Sequence, residues 1–269
     1  MRTVFILFMS GILLGISNLL SAPPQSDKKP DQIRIYALDG GISLIEDKSI
    51  FHPAYSSCDS ITLRVTSFLI VHPEGTILWD TGMPGKAAQI EKQLHEIGIN
   101  PEKDIDFLAF SHWHYDHTGN ANNFNNSIII GQADEYYYAF SQNAVSGFGM
   151  NPETYSGIAN NHTLLFIGDY DVFNDGRVQI LRVGGHTMGS QILMVKLREK
   201  TVILSGDIFH FTEQRIHRRV PSFNHDSLQT INGMQRVENL LLQHSDSELW
   251  ITHDPEQMGS LNYAPKYYD

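Results

Sequence analysis

The sequence predicts a layered α/β protein (α+β) built on antiparallel or mixed β-sheets. Short β-branched and aromatic segments follow one another in runs, and segments with helical spacing are interspersed among them. A parallel, doubly wound sheet would instead require regular alternation of strand and helix. The 269 residues contain no internal repeat of fixed period, and one domain over residues 33–269 accounts for nearly all of them.

Strands and turns can be assigned in order along the N-terminal half. Residues 33–44 predict two strands about a Gly-Gly turn, and residues 62–82 predict a hairpin about the turn HPEG. A helix is expected over residues 86–98, because apolar residues recur at helical spacing and Gly98 ends the run. Residues 105–110 then predict a short apolar strand that leads into the sequence SHWHYDH.

The C-terminal half continues with the same kinds of element. They are a strand at 127–130, a helix at 133–142, strand pairs at 166–185 and 191–207, a helix at 227–244 and a strand at 249–254. The last strand is expected to end on His253.

The first 22 residues differ from the rest of the chain. Arg2 precedes an uncharged apolar stretch over residues 4–20, and small residues then lead into a Pro-rich segment. This arrangement predicts a secretory signal peptide over residues 1–22 and a linker over residues 23–32. Export to the periplasm or the medium is therefore expected, with an uncleaved N-terminal anchor or a buried or membrane-spanning helix as alternatives.

Charge and cysteine content narrow the classes of partner. The formal net charge of −11 and the absence of any basic run oppose nucleic-acid binding and favour a small uncharged substrate. Cys58 is the single cysteine, so the chain cannot form an internal disulfide. We expect Cys58 to be a partly buried small side chain.

The sequence SHWHYDH places three histidines and one aspartate within six positions. His112 and His114 are two residues apart in an extended stretch, so both imidazoles can point the same way. Asp116 and His117 follow where the chain begins to turn. Such a pattern arises by chance in roughly one chain in a thousand of this composition. Imidazole and carboxylate ligands together suit zinc, iron or manganese better than calcium.

Three more candidate ligands follow other predicted strands. They are His186 in VGGHTMGSQ, Asp207 in LSGD and His253 in WITHD. Because each follows an apolar strand, all three can gather with residues 112–117 at one rim of the sheets. Seven candidate side chains exceed what one tetrahedral zinc ion accepts, which favours two metal ions.

The order of these ligands resembles that of the metallo-β-lactamase superfamily of metallohydrolases. The matching residues are the HxHxDH motif at 112–117, His186, Asp207 and His253. The sequence WDTG at 79–82 is similar to the superfamily's Asp-Thr-Gly turn, which implies that Asp80 orients the ligands. The resemblance implies an αββα sandwich, with two mixed sheets inside and helices outside.

Within that superfamily the chain looks like the N-acyl-homoserine lactonases. Residues 168–191 and the C-terminal tail at 253–269 carry this likeness. It implies that the lactone ring of N-acyl homoserine lactones is opened, which quenches bacterial quorum signals, by a hydroxide held between two divalent metal ions, expected to be Zn²⁺. The oligomeric state stays open, with a homodimer as one option.

The likeness also implies a role for each site residue. One ion would be held by His112, His114 and His186, the other by Asp116, His117 and His253, with Asp207 bridging them. Asp116 would also carry the proton to the departing alkoxide. His210 stands where the lactonases have a tyrosine that donates a hydrogen bond to the substrate carbonyl, and it is expected to take over that role. Met188 and Ser190 depart from the usual GHTPGHQ.

Two other interpretations remain open at this point. The same ligand set serves thioesterases and β-lactamases, so the substrate class is not fixed by the motifs. A binding protein with structural metal is a second alternative, although structural zinc sites are commonly rich in cysteine. Phe209, Phe211 and Phe223 either line an acyl-chain pocket or pack in the core.

Overall fold

The β-branched runs of the chain fold into two sheets in the computed structural model, which describes residues 32–85 and 89–269. The predicted signal peptide at 1–22 lies outside the described residues, as does nearly all of the linker at 23–32, so both stay predictions. None of the helices in the described ranges has the length and apolar character that a bilayer crossing requires.

The first sheet has six strands that lie side by side in chain order. They are β1 (Arg34–Ile45), β2 (Ile61–His72), β3 (Gly75–Trp79), β4 (Phe107–Ala109), β5 (Ile128–Gln132) and β6 (Thr163–Phe166). Pairing is antiparallel from β1 to β3 and parallel from β3 to β6. The HPEG hairpin is confirmed, because His72 pairs with Gly75 across a two-residue turn.

The first strand differs from its prediction. Residues 34–45 form one continuous strand, whereas the sequence predicted two strands about a glycine turn. The register of β1 on β2 shifts between Asp39 and Ile42, so the two glycines form a bulge. Gly41 has a φ of 103°, and a Cβ on Gly40 would lie 2.7 Å from the carbonyl oxygen of Val65. The glycines therefore bend a strand and do not reverse the chain.

The second sheet has five strands in the order β11-β10-β9-β8-β7. They are β7 (Tyr170–Asp171), β8 (Val178–Arg182), β9 (Gln191–Lys196), β10 (Thr201–Leu204) and β11 (Ser247–Trp250). The two predicted strand pairs are confirmed as antiparallel, and β10 pairs with β11 in parallel. The last strand ends at Trp250, short of the His253 that the sequence placed at its end.

The facing sides of the two sheets form the central core. Phe68 and Trp79 of the first sheet and Val195 and Leu204 of the second belong to one buried cluster. The helices are α1 (Ile90–Glu96), α2 (Tyr115–Thr118), α3 (Ala133–Ala139), α4 (Thr212–His217), α5 (Ser227–Gln243) and α6 (Pro255–Gly259).

Helices cover the outer faces of both sheets. Leu94 of α1 packs on the first sheet, and Met234 and Val237 of α5 pack on the second. At the start of α5, the Asp226 side chain accepts a hydrogen bond from the backbone N–H of Gln229, which caps the helix. Two mixed sheets between helical layers confirm the predicted αββα sandwich.

Cys58 lies in the loop between β1 and β2 and is exposed, so the partly buried position expected for it is wrong. Its neighbours in the sequence SSCDS are polar and supply no apolar surface to cover it. Its backbone N–H donates to Ser56 Oγ over 3.1 Å, which ties the loop into a local turn at the surface.

The strand directions bring the predicted ligands to one edge of the sandwich. Strands β3 and β4 are parallel, and β8, β10 and β11 run in one direction because β9 is antiparallel to both β8 and β10. The residues that follow these five strands are Asp80, His112, His186, Asp207 and His253. The fold therefore delivers side chains from both sheets to one place.

Gly119 packs directly against the turn that follows β3. Its N–H donates to the Gly82 carbonyl over 2.9 Å, and a Cβ there would lie 2.3 Å from that oxygen and from the carbonyl carbon of Met83. We expect Gly119→Ala to lower the free energy of unfolding by about 1–3 kcal/mol, because backbone cannot move aside as a flexible side chain can.

Urea denaturation measures this effect, with Gly259→Ala as the matched control, since a Cβ at Gly259 meets nothing within 4 Å. Equal unfolding midpoints for the two variants would contradict the close backbone contact.

Candidate metal centre

The structure brings all seven predicted ligands into one cluster. The ligating atoms of these seven residues and of His210 form groups whose members lie within 4.8 Å of one another: His112 with His114 and His186; His112 with His117 and Asp207; Asp116 with His117 and His253; and His186 with Asp207 and His210. All of these residues are buried except Asp116, which is partly exposed. Ligation itself stays a prediction, but the geometry it requires is present.

The HxHxDH spacing follows from a change of backbone conformation. His114 is extended, with φ −70° and ψ 157°, and α2 begins at the next residue. Extended spacing therefore directs His112 and His114 to one side, and the first helical turn then brings Asp116 and His117 round to the same cluster.

A glycine directly precedes two of the other candidate ligands, His186 and Asp207, and lets the backbone turn towards the cluster there. Gly185, before His186, has a φ of 93°, and a Cβ there would lie 2.3 Å from the backbone nitrogen of Thr230. Gly206, before Asp207, has a φ of 49°. Side chains rarely adopt such backbone conformations, so glycine lets the chain turn sharply from the strand into the site.

The outer nitrogens of three imidazoles are tied to oxygen acceptors. His117 Nδ1 lies 2.9 Å from Asp80 Oδ2, His253 Nδ1 lies 2.6 Å from the Arg64 carbonyl, and His186 Nδ1 lies 3.0 Å from Asn224 Oδ1. Because these oxygens can only accept, the neutral rings carry their proton on Nδ1 and turn an Nε2 lone pair inward. Asp80 thus lies where the sequence comparison placed an orienting carboxylate.

The inward nitrogens lie against one another. His117 Nε2 is 3.1 Å from His253 Nε2, and His112 Nε2 is 3.1 Å from His186 Nε2. Two lone pairs at this distance repel each other, whereas two nitrogens bound to one zinc ion at about 2.0–2.1 Å stand roughly 3.3 Å apart. Asp207 Oδ1 is also buried without a hydrogen-bond partner. The donor set therefore fits divalent cations.

Burial keeps three of the histidines neutral. It lowers the pKa of His112 well below the usual value, the pKa of His114 to about 3 and the pKa of His186 to about 4. Repulsion from neighbouring imidazoles contributes to the lowered pKa of each of these three rings, and Asp207 partly opposes it. Neutral imidazole is the form that binds metal, so these rings are ready to act as ligands.

The carboxylates of Asp116 and Asp207 lie beside His117 and His253 and change the pKa values there. Burial alone would lower the pKa values of His117 and His253, but the carboxylate of Asp207, helped by that of Asp116, raises both. Burial would likewise raise the pKa of Asp207, yet the surrounding imidazoles, His253 foremost, hold it well below its usual range. A divalent cation would balance these carboxylates in place of the protons.

Two cavities adjoin the cluster. One, of about 320 Å³, reaches the metal ligands and has an apolar wall of Ile45, Ile50, Phe51 and Leu63. The other, of about 310 Å³, is lined by Glu135, Tyr138, Met150, Met188 and His225 among others. His114, His186, Phe148 and Phe223 border both. The rings of Phe148 and Phe223 stack with centroids 4.9 Å apart, so this pair stands between the two cavities.

Sequence reasoning identified only part of these walls. Phe223 lines both cavities, whereas Phe209 and Phe211 pack in buried clusters. Phe148 and Met150 were missed, although the stretch GFGM sets apolar side chains between glycines in a loop, a signal that could have marked them.

The αββα fold and the buried histidine–carboxylate cluster at its strand ends define a metal-dependent hydrolase. The model of the metallo-beta-lactamase superfamily matches residues 61–249, and the chain belongs to that superfamily.

Named relatives are similar over almost their whole length. The N-acyl homoserine lactonase AttM of Azorhizobium caulinodans is 26% identical over 263 residues, which cover 88% of this chain and 99% of the relative. The N-acyl homoserine lactonase AiiA of Bacillus thuringiensis subsp. kurstaki is 25% identical, covering 87% and 98%. The solved structure of a quorum-quenching N-acyl homoserine lactone hydrolase superposes with a TM-score of 0.76 at 26% identity, covering 87% and 98%.

The hydrogen bond between Asp80 and His117 can be tested through metal affinity. We expect Asp80→Asn to weaken metal binding by about 10–100-fold, because His117 loses the carboxylate that fixes its ring and raises its basicity. Titration against a chromophoric chelator measures the change.

Asp175→Asn is the matched control, since Asp175 pairs over 3.0 Å with His72, which belongs to none of the ligand groups. The same loss of affinity in both variants would show that the effect is general and not due to orientation of His117.

Proposed function

We propose that the protein hydrolyses the lactone ring of N-acyl homoserine lactones with two divalent metal ions, expected to be zinc. The observation that carries this proposal is the seven-ligand cluster at the base of a cavity with an apolar wall. That cavity offers a polar end to a lactone and an apolar side to an acyl chain. The names of the full-length relatives AttM and AiiA support this substrate.

Two sets of residues would hold the ions. His112, His114 and His186 would hold one, and Asp116, His117 and His253 the other, with Asp207 between them. Bound divalent ions polarise a carbonyl and lower the pKa of water to about 7, which supplies a hydroxide nucleophile at neutral pH. The chain's own part is to fix these ligands before substrate arrives, through the hydrogen bonds to their Nδ1 atoms.

Asp116 is suited to move the proton. Its side chain is 16% exposed, whereas that of Asp207 is 6% exposed, and it borders the substrate cavity. Water adds to the lactone carbonyl carbon and the ring C–O bond breaks. We assign Asp116 the transfer of a proton from the attacking water to the departing ring oxygen, so that the products are a carboxylic acid and an alcohol.

We further propose that the N-terminal segment directs export of the protein. A signal peptide over residues 1–22 would export the enzyme to the periplasm or the medium, where acylated lactone signals travel between cells. The supporting feature is the charge and apolar pattern of that segment.

Acid release tests the reaction directly. A pH-stat records it from zinc-loaded protein lacking residues 1–22, given N-acyl homoserine lactones with short and long chains. We expect turnover that Asp116→Asn lowers by about 10²-fold or more, because an amide cannot carry the proton.

Asp175→Asn, away from the ligand groups, should keep the wild-type rate. Near wild-type turnover by Asp116→Asn would remove the proton-transfer role. Thioester or β-lactam hydrolysis without any lactone hydrolysis would move the protein to another reaction of the same superfamily.

The stacked pair of Phe148 and Phe223 predicts chain-length dependence. Phe148 is 64% exposed yet borders both cavities, so removal of its ring takes away apolar surface that a long acyl chain would cover. We expect Phe148→Ala to raise KM for a decanoyl lactone by on the order of tenfold, with little change for a butanoyl lactone.

Val145→Ala, at an exposed apolar position in the short 3-10 helix that precedes Phe148, is the control. Equal changes in KM for both chain lengths in Phe148→Ala would place the acyl chain elsewhere.

A further inference from the structure

His210 lies inside the metal cluster although it belongs to neither of the two proposed ligand sets. Its Nε2 is 3.2 Å from Asp207 Oδ2, and with His186 and Asp207 it forms one of the groups of potential ligands. The residue is 4% exposed. The sequence comparison gave this imidazole the part of a hydrogen-bond donor to the substrate, but its surroundings favour another role.

Gln214 determines which nitrogen of His210 carries the proton. The backbone N–H of His210 donates to Gln214 Oε1 over 2.7 Å. Because an N–H group can only donate, the amide oxygen must be the atom that faces it. The same oxygen lies 3.2 Å from His210 Nδ1, so the neutral ring carries its proton on Nδ1. Nε2 is then left with a lone pair that faces the cluster.

The Gln214 amide keeps this orientation although it leaves a buried polar group unpaired. Its NH₂ group is buried without a hydrogen-bond partner, and the residue is 0% exposed. Turning the amide would set NH₂ against the N–H of His210, donor against donor. The side chain therefore presents an acceptor to His210.

Packing against neighbouring rings keeps the His210 ring from flipping, so Nδ1 and Nε2 cannot exchange positions. The ring packs on Phe51 with centroids 4.9 Å apart, stacks on His253 at 5.9 Å, and meets Phe223 edge-on at 5.7 Å. A flip about the side-chain bonds would have to displace these packed neighbours, of which Phe51 and His253 are buried.

We propose that His210 is a further metal ligand, bound through Nε2 to the cation that His186 and Asp207 share. A lone pair 3.2 Å from a carboxylate oxygen repels it, and a cation that binds both groups removes the repulsion. A doubly protonated ring would also remove it, but would set a positive charge beside the bound cations. In the tautomer that Gln214 selects, Nε2 cannot donate to a substrate carbonyl. This inference concerns metal binding alone and holds for any substrate.

Cobalt(II) substitution of the full-length protein tests the ligand directly. The visible d–d bands of cobalt(II) grow more intense as the coordination number falls, so His210→Phe is expected to raise their intensity and weaken metal retention against a chelator at least tenfold. Gln214→Leu, which removes the acceptor from Nδ1, is expected to weaken retention by about 10–100-fold. Gln214→Glu keeps an acceptor oxygen and should retain more metal than Gln214→Leu.

His217→Phe, an exposed position at the end of α4, the helix that carries Gln214, is the matched control and should leave both readouts unchanged. Unchanged cobalt spectra and metal affinity in His210→Phe and Gln214→Leu would overturn the proposal and return His210 to the role of a substrate donor. If His210→Phe does not fold, Gln214→Leu and His210→Gln decide by the same two readouts. Absence of lactone hydrolysis would count against the proposed function only.

Discussion

The buried carboxylate of Asp207 is the constraint on which the rest of the site depends. Five imidazole nitrogens surround it: His253 at 3.1 Å, His210 at 3.2 Å, His117 at 3.3 Å, His186 at 3.4 Å and His112 at 3.8 Å. An isolated charge at this depth would be prohibitively costly, and several of the surrounding nitrogens present lone pairs to it. Positive charge beside the carboxylate offsets this cost, either as protons on His117 and His253, whose pKa values Asp207 raises, or as divalent cations in their place.

This cluster can exist only when both sheets are packed. His112 lies in the segment after β4 of the first sheet, and Asp116 and His117 lie in α2, which follows it. Asp207 and His253 follow strands of the second sheet. The sheets are joined at this edge, because Gln191 donates to the Ser111 carbonyl over 2.9 Å and His253 Nδ1 bonds to the Arg64 carbonyl over 2.6 Å. The ligands are therefore fixed by the sandwich itself, which is the preorganisation that catalysis by metal ions requires.

The sequence predicted which residues cluster because their signal is local, and it missed what depends on tertiary contact. HxHxDH can be recognised from one strand end and one helical turn, and His186, Asp207 and His253 each follow an apolar strand. By contrast, two adjacent glycines such as Gly40 and Gly41 suit a turn and a bulge equally well. Only the pairing of β1 with β2 shows that they form a bulge here. Asn224 and Gln214 act on histidines through contacts that no motif records.

The residues of the histidine–carboxylate cluster are held more tightly by their neighbours than the residues that line the cavities. Several histidines of the cluster are confined by a hydrogen-bonded neighbour, as His117 is by Asp80, His186 by Asn224 and His253 by the Arg64 carbonyl. Phe148, by contrast, is exposed on a loop between two glycines, where it supplies apolar surface at the border of both cavities. His210 belongs to the confined set, because Gln214 below it and Phe51 beside it fix its ring. An imidazole at this position therefore lies among the buried residues of the cluster, whereas Phe148 lies on the loop that borders the cavities.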